Sequence, residues 1–129
     1  VTPGPDTAAD LQSSLNALLG RSGVNFAPNS ATIDERSQVV LSSAAESIKQ
    51  VPGAKVQIVG YTDNDGPPDA NLALSQDRAD AVKTFLVGRG VPADDLTTLG
   101  KGEADPIAPN DTPENKAKNR RIEFIVQGS

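Results

Sequence analysis

The 129-residue sequence has no cysteine, histidine, methionine or tryptophan, and its aromatic rings are three Phe (Phe26, Phe85, Phe124) and one Tyr (Tyr61). Without histidine or cysteine, the chain has neither the near-neutral base that Ser-His-Asp and Cys-His catalysis require nor the thiol of the latter. Cys/His zinc sites, redox dithiols and iron–sulfur clusters are excluded for the same reason. No apolar run approaches the roughly 20 residues of a membrane-spanning helix, and no signal-peptide pattern opens the chain. Lys and Arg number 12 against 17 Asp and Glu, a net charge of −5. With so few rings beside it, that balance argues against a nucleic-acid partner, which calls for a basic, ring-bearing face. Left on the menu are carboxylate chemistry, hard-metal binding, and recognition through Asp, Asn, Ser, Thr and Arg.

Residues 1–7, opening Val1-Thr2-Pro3-Gly4-Pro5, read as a linker, and residues 8–129 as a single domain. A chain of this length buries roughly two-thirds of its unfolded surface, so it folds without disulfide staples. The missing cysteines therefore leave the redox compartment open. The linker-like start predicts a fragment of a longer or processed protein, with any membrane contact made by segments outside this chain.

Hydrophobic spacing predicts a helix over Ala8–Leu19, capped by Asp6 or Thr7 and stopped at Gly20, then a short strand at Val24-Asn25-Phe26. Thr32 and Glu35 read as a capping box opening a helix that carries Val40, Leu41, Ala44, Ala45 and Ile48 on one face. Lys55–Gly60 alternates with period two as a strand. An Asp/Gly/Pro-rich loop, Tyr61–Asp69, leads into a second long helix from about Ala70 to Gly88. Leu96–Gly100 and Arg121–Val126 are further strands, separated by a long loop with one helical turn near Glu114–Ala117. The expected fold is α/β: a β-α-β-α-β-β mixed sheet with helices packed on one face, plus an extra N-terminal helix.

The second long helix carries the functional signal. At about 100° per residue, Leu74, Ala81, Val82 and Phe85 form an apolar stripe, and Arg78 lies within it. A guanidinium turned toward a sheet is costly unless its charge and donors are engaged. Asn71 and Ser75 extend the polar patch toward the helix start. Upstream, Asp63 leaves the end of its strand, where α/β sheets commonly place functional groups, and the loop can fold it back toward Arg78. Two readings follow: a structural ion pair, or a carboxylate/guanidinium pair open to a zwitterionic ligand.

These residues fall into four ordered motifs: Gly60-Tyr61-Thr62-Asp63-Asn64-x-Gly66, Asn71-x-x-Leu74-Ser75-x-x-Arg78-Ala79, Gly100-x-Gly102-Glu103-x-x-Pro106-Ile107, and Asn110…Asn119-Arg120-Arg121-Ile122-Glu123. Together they resemble the OmpA-like peptidoglycan-binding domain, the family of the outer membrane protein A C-terminal domain, peptidoglycan-associated lipoprotein and MotB. The resemblance spans residues 24–127 and is nearest to mycobacterial and other actinobacterial members. It implies a bacterial envelope protein that binds peptidoglycan non-covalently through the diaminopimelate of the peptide stem, without a cofactor or metal and without catalysis. It further implies Asp63 and Arg78, fifteen positions apart, as principal ligand groups, with Thr62, Asn64, Asn71 and Arg120 in support. Strand parity puts Arg120 on the face of Ile122 and Phe124, under the helices. Phe26 and Asn29 match an early segment that forms another wall of the pocket. Tyr61 stands where many members carry His, and Asp65 with Pro67-Pro68 makes this loop more acidic and stiffer.

Other readings have specific weaknesses. Asp63-Asn64-Asp65-Gly66 is not an EF-hand, because Gly66 at position six puts Tyr61 and Leu72 at the ligand ends. Gly100-Lys101-Gly102 lacks the remaining P-loop residues. Asp94-Asp95 reads as a solvated turn. Lys116, Lys118, Arg120 and Arg121 read as a solvated loop with one core-facing Arg. A cell-wall hydrolase using two of Asp63, Asp65, Glu103 and Asp105 finds no desolvated partner for its acid in the sequence. A protein-interaction or oligomerisation domain without wall binding is the third class.

Overall fold

The computed structural model describes residues 8–21, 24–26 and 30–127. In chain order these form α1 (Ala8–Arg21), α2 (Glu35–Lys49), β1 (Lys55–Tyr61), α3 (Pro68–Gly88), a single 3-10 turn at Ala93–Asp95, β2 (Leu96–Gly102), α4 (Pro113–Asn119) and β3 (Arg121–Gln127). The expected Asp6/Thr7 cap lies outside the described residues.

The sheet is mixed, in the order β2-β1-β3, with β1 parallel to β2 and antiparallel to β3. Alternation sorts its residues by face. Val56 and Ile58, with Ile122 and Phe124 on β3, are buried beneath the helices in one core with Leu11 and Leu15 of α1, Leu41, Ala45 and Ile48 of α2, and Val82 and Leu86 of α3. Burying a side chain of this size contributes about 1.5–3 kcal/mol, which is why the pattern fixes the packing face. Helix α3 lies on β1 and β2, α1 on β3, and α2 against α1 and α3. The α/β class, the mixed sheet and the one-sided helical layer agree with the sequence reading.

Three details differ. Val24–Phe26 does not join the sheet: Asn25 N donates to Ser37 Oγ at 2.6 Å, Asn25 O accepts from Asp34 N at 3.2 Å, and Phe26 forms an isolated bridge with Ile33. The backbone groups a fourth strand needs are thus committed to the start of α2. The cap of that helix is Asp34, which accepts from Ser37 N at 2.8 Å, and not Thr32. The edge of β3 is instead finished by one side chain: Gln12 Nε2 donates to Phe124 O at 2.8 Å, and Gln12 Oε1 accepts from Val126 N at 2.7 Å. The glutamine amide stands in for a neighbouring strand. Finally, α4 is a seven-residue helix capped by Thr112, longer than the single turn expected.

Glycines set how close α3 comes. A Cβ on Gly100 would lie 2.6 Å from Ser75 Oγ and 2.7 Å from Gln76 Cα, and one on Gly60 would run into the Ser75 carbonyl. With no side chains there, Ser75 Oγ accepts from Gly102 N and Gln76 Oε1 from Gly100 N, each at 2.8 Å. The first turns of α3 are thereby held against the ends of β1 and β2.

Candidate functional site

That close approach brings the polar start of α3 beside the loop leaving β1. The buried line of α3 is Asn71, Ser75, Arg78, Ala79, Val82 and Leu86, rotated slightly from the predicted stripe, whose Leu74, Ala81 and Phe85 are half-buried. Arg78 is 7% exposed, as its place among apolar positions required. Its guanidinium stacks on the Phe26 ring, 4.9 Å from the centroid, and Nε donates to Ser30 O at 2.9 Å. Burial, and then the nearby Arg120 charge, lower the Arg78 pKa, while Asp63 acts the other way. The group stays a cation at neutral pH all the same.

The carboxylate partner differs from expectation. Asp63 is paired with Arg120 and not with Arg78: Arg120 Nη1 donates to Asp63 Oδ2 at 2.5 Å, while Asp63 Oδ1 accepts from Asp65 N at 3.0 Å. Arg78 feels the Asp63 charge without an ion-pair contact between them. Arg120 does not lie under the helices either. It caps the end of α4, before β3 begins, and its side chain is 43% exposed, against 9% for that of Asp63. Strand parity fails there because residue 120 is not yet strand.

The other predicted residues take supporting positions. Thr62 is buried; its N–H donates to Gly102 O at 2.7 Å, and its hydroxyl to Asp63 O at 2.8 Å. Asn71 Nδ2 donates to Asp65 O at 2.8 Å and Asp63 O at 3.4 Å, holding the loop to α3. Asn64 is exposed and does not line the cavity. Asn29 lies outside the described residues.

Asp63, Thr62, Asn71, Arg78 and Arg120 share the wall of one cavity of about 390 Å³ with Phe26, Tyr61, Leu74 and Arg121. Its rim carries a further pair, Lys116 Nζ to Asp65 Oδ1 at 2.7 Å. Arg121 is the wall residue that sequence reasoning missed. It sits opposite Tyr61 in the β1/β3 register and stacks 3.8 Å above that ring. It also pairs with Glu123 at 2.6 Å and donates to Asp105 O at 2.9 Å. Burial raises the Tyr61 pKa, and Glu123 adds to the effect. The strand begins at Arg121, directly opposite Tyr61, whereas Arg120 still belongs to the end of α4. Asn119 anchors the loop below them: its Oδ1 accepts from Ile107 N and Ala108 N, and its Nδ2 donates to Ala108 O and Asn110 Oδ1.

Chemically, the cavity offers buried cationic and anionic groups side by side, an amide, and an aromatic wall. Such a set suits a small polar ligand that carries both charges.

Comparison with known proteins agrees with this fold. The OmpA family model matches residues 25–120. Peptidoglycan-binding protein ArfA of Mycobacterium tuberculosis is 43% identical over 127 residues, covering 96% of this chain and 39% of its own length. The probable lipoprotein YiaD of Escherichia coli is 43% identical over 103 residues, 80% of this chain and 47% of its own length. The chain thus spans less than half the length of these relatives. Among solved structures, the peptidoglycan-associated lipoprotein of Burkholderia pseudomallei superimposes with a TM-score of 0.79 at 30% identity, covering 91% of this chain and 99% of that one. The C-terminal domain of Helicobacter pylori MotB gives 0.77 at 27% identity, covering 82% and 83%.

Proposed function

Since the chain belongs to the OmpA family, a family of cell-envelope proteins, we propose that it binds peptidoglycan non-covalently and fastens an envelope protein to the wall. The ligand group is the diaminopimelate of the peptide stem. Its free amino-acid end carries an ammonium for Asp63 and a carboxylate for the guanidiniums of Arg78 and Arg120. Thr62 and Asn71 hold the loop that presents Asp63. The observation that carries the reading is the meeting of Asp63, Arg78 and Arg120 on one cavity wall at the end of β1. A relative named for peptidoglycan binding, alike over 96% of this chain, supports it. Each contact is small and solvated, so single-site affinity is modest, and firm anchoring comes from many copies or a tether elsewhere in the full-length protein.

The site binds and does not cut. Of the carboxylates considered for hydrolysis, Asp63 and Asp65 are turned onto Arg120 and Lys116, while Glu103 and Asp105 are not on the cavity wall. Among the described residues, the two carboxylates on the cavity wall, Asp63 and Asp65, are each already engaged by a cation, which does not favour an acid and base pair.

Co-sedimentation with purified diaminopimelate-type sacculi tests this. The wild-type chain is retained without releasing muropeptides, and Asp63→Ala and Arg78→Ala reduce retention while circular dichroism shows a folded domain. Arg78→Lys, which keeps the charge but not the bidentate fork, gives an intermediate loss. Released muropeptides would establish the hydrolase. No retention of the wild-type chain would point to a protein-interaction domain.

A further inference from the structure

The pairing of Asp63 with Arg120 gives the site a selection rule. In this structure the Asp63 carboxylate is almost fully covered, its side chain 9% exposed, and the group lying on Oδ2 is the Arg120 guanidinium at 2.5 Å. Its other oxygen already accepts from Asp65 N. A cationic ligand reaching Asp63 Oδ2 therefore meets the Arg120 guanidinium already there. Arg120 can yield that place: the residue ends α4, its side chain is 43% exposed, and among the described residues its side chain is held by this one ion pair. Within the cavity the displaced guanidinium is opposed by the like charge of Arg78 on the same wall, so it gains from a new anionic partner.

We propose that the Asp63–Arg120 pair opens by exchange: the ligand ammonium replaces Arg120 on Asp63, and the ligand's own carboxylate receives the released guanidinium. This rests on the peptidoglycan reading above and adds its specificity. Arg120 is then a selectivity residue. A zwitterionic amino-acid end swaps one ion pair for two, whereas a bare amine swaps one for one and leaves the guanidinium without an anionic partner. The cavity accepts α-amino carboxylate ends, such as that of diaminopimelate, and rejects lysine-type ammonium groups that carry no carboxylate. Both ligand types are cationic at nitrogen near pH 7, so nitrogen charge alone cannot separate them.

The experiment titrates the wild-type chain, Arg120→Gln and Arg120→Lys with meso-diaminopimelate and with Nα-acetyl-L-lysine methylamide, following the Thr62–Asp65 amides by NMR. Wild type binds diaminopimelate and discriminates against the amine. In Arg120→Gln the amine gains affinity by about threefold to fivefold, the span expected of an ion pair half open to water, while diaminopimelate loses affinity. Arg120→Lys keeps a competing cation and retains the rejection. If wild type binds diaminopimelate but the amine gains nothing in Arg120→Gln, the exchange is overturned and the binding reading stands. If wild type binds no diaminopimelate, the binding reading fails and the exchange with it.

Discussion

Replacing Gly60 by alanine tests whether the close seating of α3 is what builds the site. The added Cβ would strike the Ser75 carbonyl oxygen and stand 3.1 Å from its carbon, whereas ordinary contact begins at 3.4 Å. The obstacle is helix backbone, so no rotamer change relieves it and α3 must move away from β1. Overpacking of this kind costs about 1–3 kcal/mol, and a backbone collision belongs at the upper end. The movement also strains the Ser75–Gly102 hydrogen bond, worth about 1 kcal/mol. The sum, about 3–4 kcal/mol, corresponds to a fall of roughly 11–15 °C in Tm for a domain of this length. Domain stabilities are typically about 5–15 kcal/mol, so the variant still folds at room temperature. Thermal melts of Gly60→Ala measure the loss. Gly88→Ala is the control, because nothing lies within 4 Å of its Cβ and its backbone is helical; it melts at or slightly above wild type. Sacculus retention supplies the second readout. Leu15→Ala, in the fully buried part of α1, costs a similar 2–5 kcal/mol but leaves the α3 contact alone. Gly60→Ala should lose more retention than Leu15→Ala at equal stability. A Gly60→Ala melt within about 2 °C of wild type would refute the argument.

Other substitutions probe separate joints. Asn119→Ala leaves the N–H groups of Ile107 and Ala108 and the Ala108 carbonyl without their partner; the expected cost is about 2–3 kcal/mol by urea unfolding, with faster amide exchange at Ile107 and Ala108. Gln12→Ala exposes the β3 edge, so it should lose about 1–2 kcal/mol and speed exchange at Val126 N, and unchanged exchange there would show that the glutamine does not close the edge. At the α2 cap, the Ser37 side chain and then its N–H hold the Asp34 carboxyl below its ordinary value. A lowered folded pKa contributes stability that is present above the unfolded value and lost as pH falls through the folded one. Asp34→Ala should therefore melt lower than wild type at pH 7, with the gap closing on acidification below about pH 4. An equal gap at pH 7 and pH 2.5 would mean that the Asp34 charge contributes nothing.

Much of the fold was legible because periodicity is a property of single elements. The strands expected at Lys55–Gly60 and Arg121–Val126 and the apolar face of α2 are present, with alternation kept along β3 and through Lys55–Ile58, beyond which β1 is buried on both faces. What spacing does not carry is where a short segment sends its backbone groups. Val24–Phe26 has the composition of a strand, yet its partners are the Ser37 hydroxyl and the Asp34 N–H. The capping error has a related cause. Thr32 and Asp34 are both competent caps, and the choice depends on where the chain enters α2, which the Asn25–Asp34 contact decides.

The site divides along the same line. Arg78 betrayed itself by sitting among apolar helix positions, since burial of a guanidinium demands a reason that local sequence alone can pose. The identity of Asp63's partner could not be posed that way. Arg78 and Arg120 are fifteen and fifty-seven positions from Asp63, and both reach one cavity because α3 lies close on the glycine-lined strand ends while α4 delivers residue 120 to the mouth of β3. Loop closure over the longer separation adds only about (3/2)RT times the logarithm of the length ratio, near 1 kcal/mol. That is too little to make the sequence-near arginine the preferred partner. Geometry decides instead: Arg78 is drawn onto the Phe26 ring and the Ser30 carbonyl, and the more exposed Arg120 takes the carboxylate. The consequence is functional as well as structural, because the arginine held on Asp63 is the one with room to move.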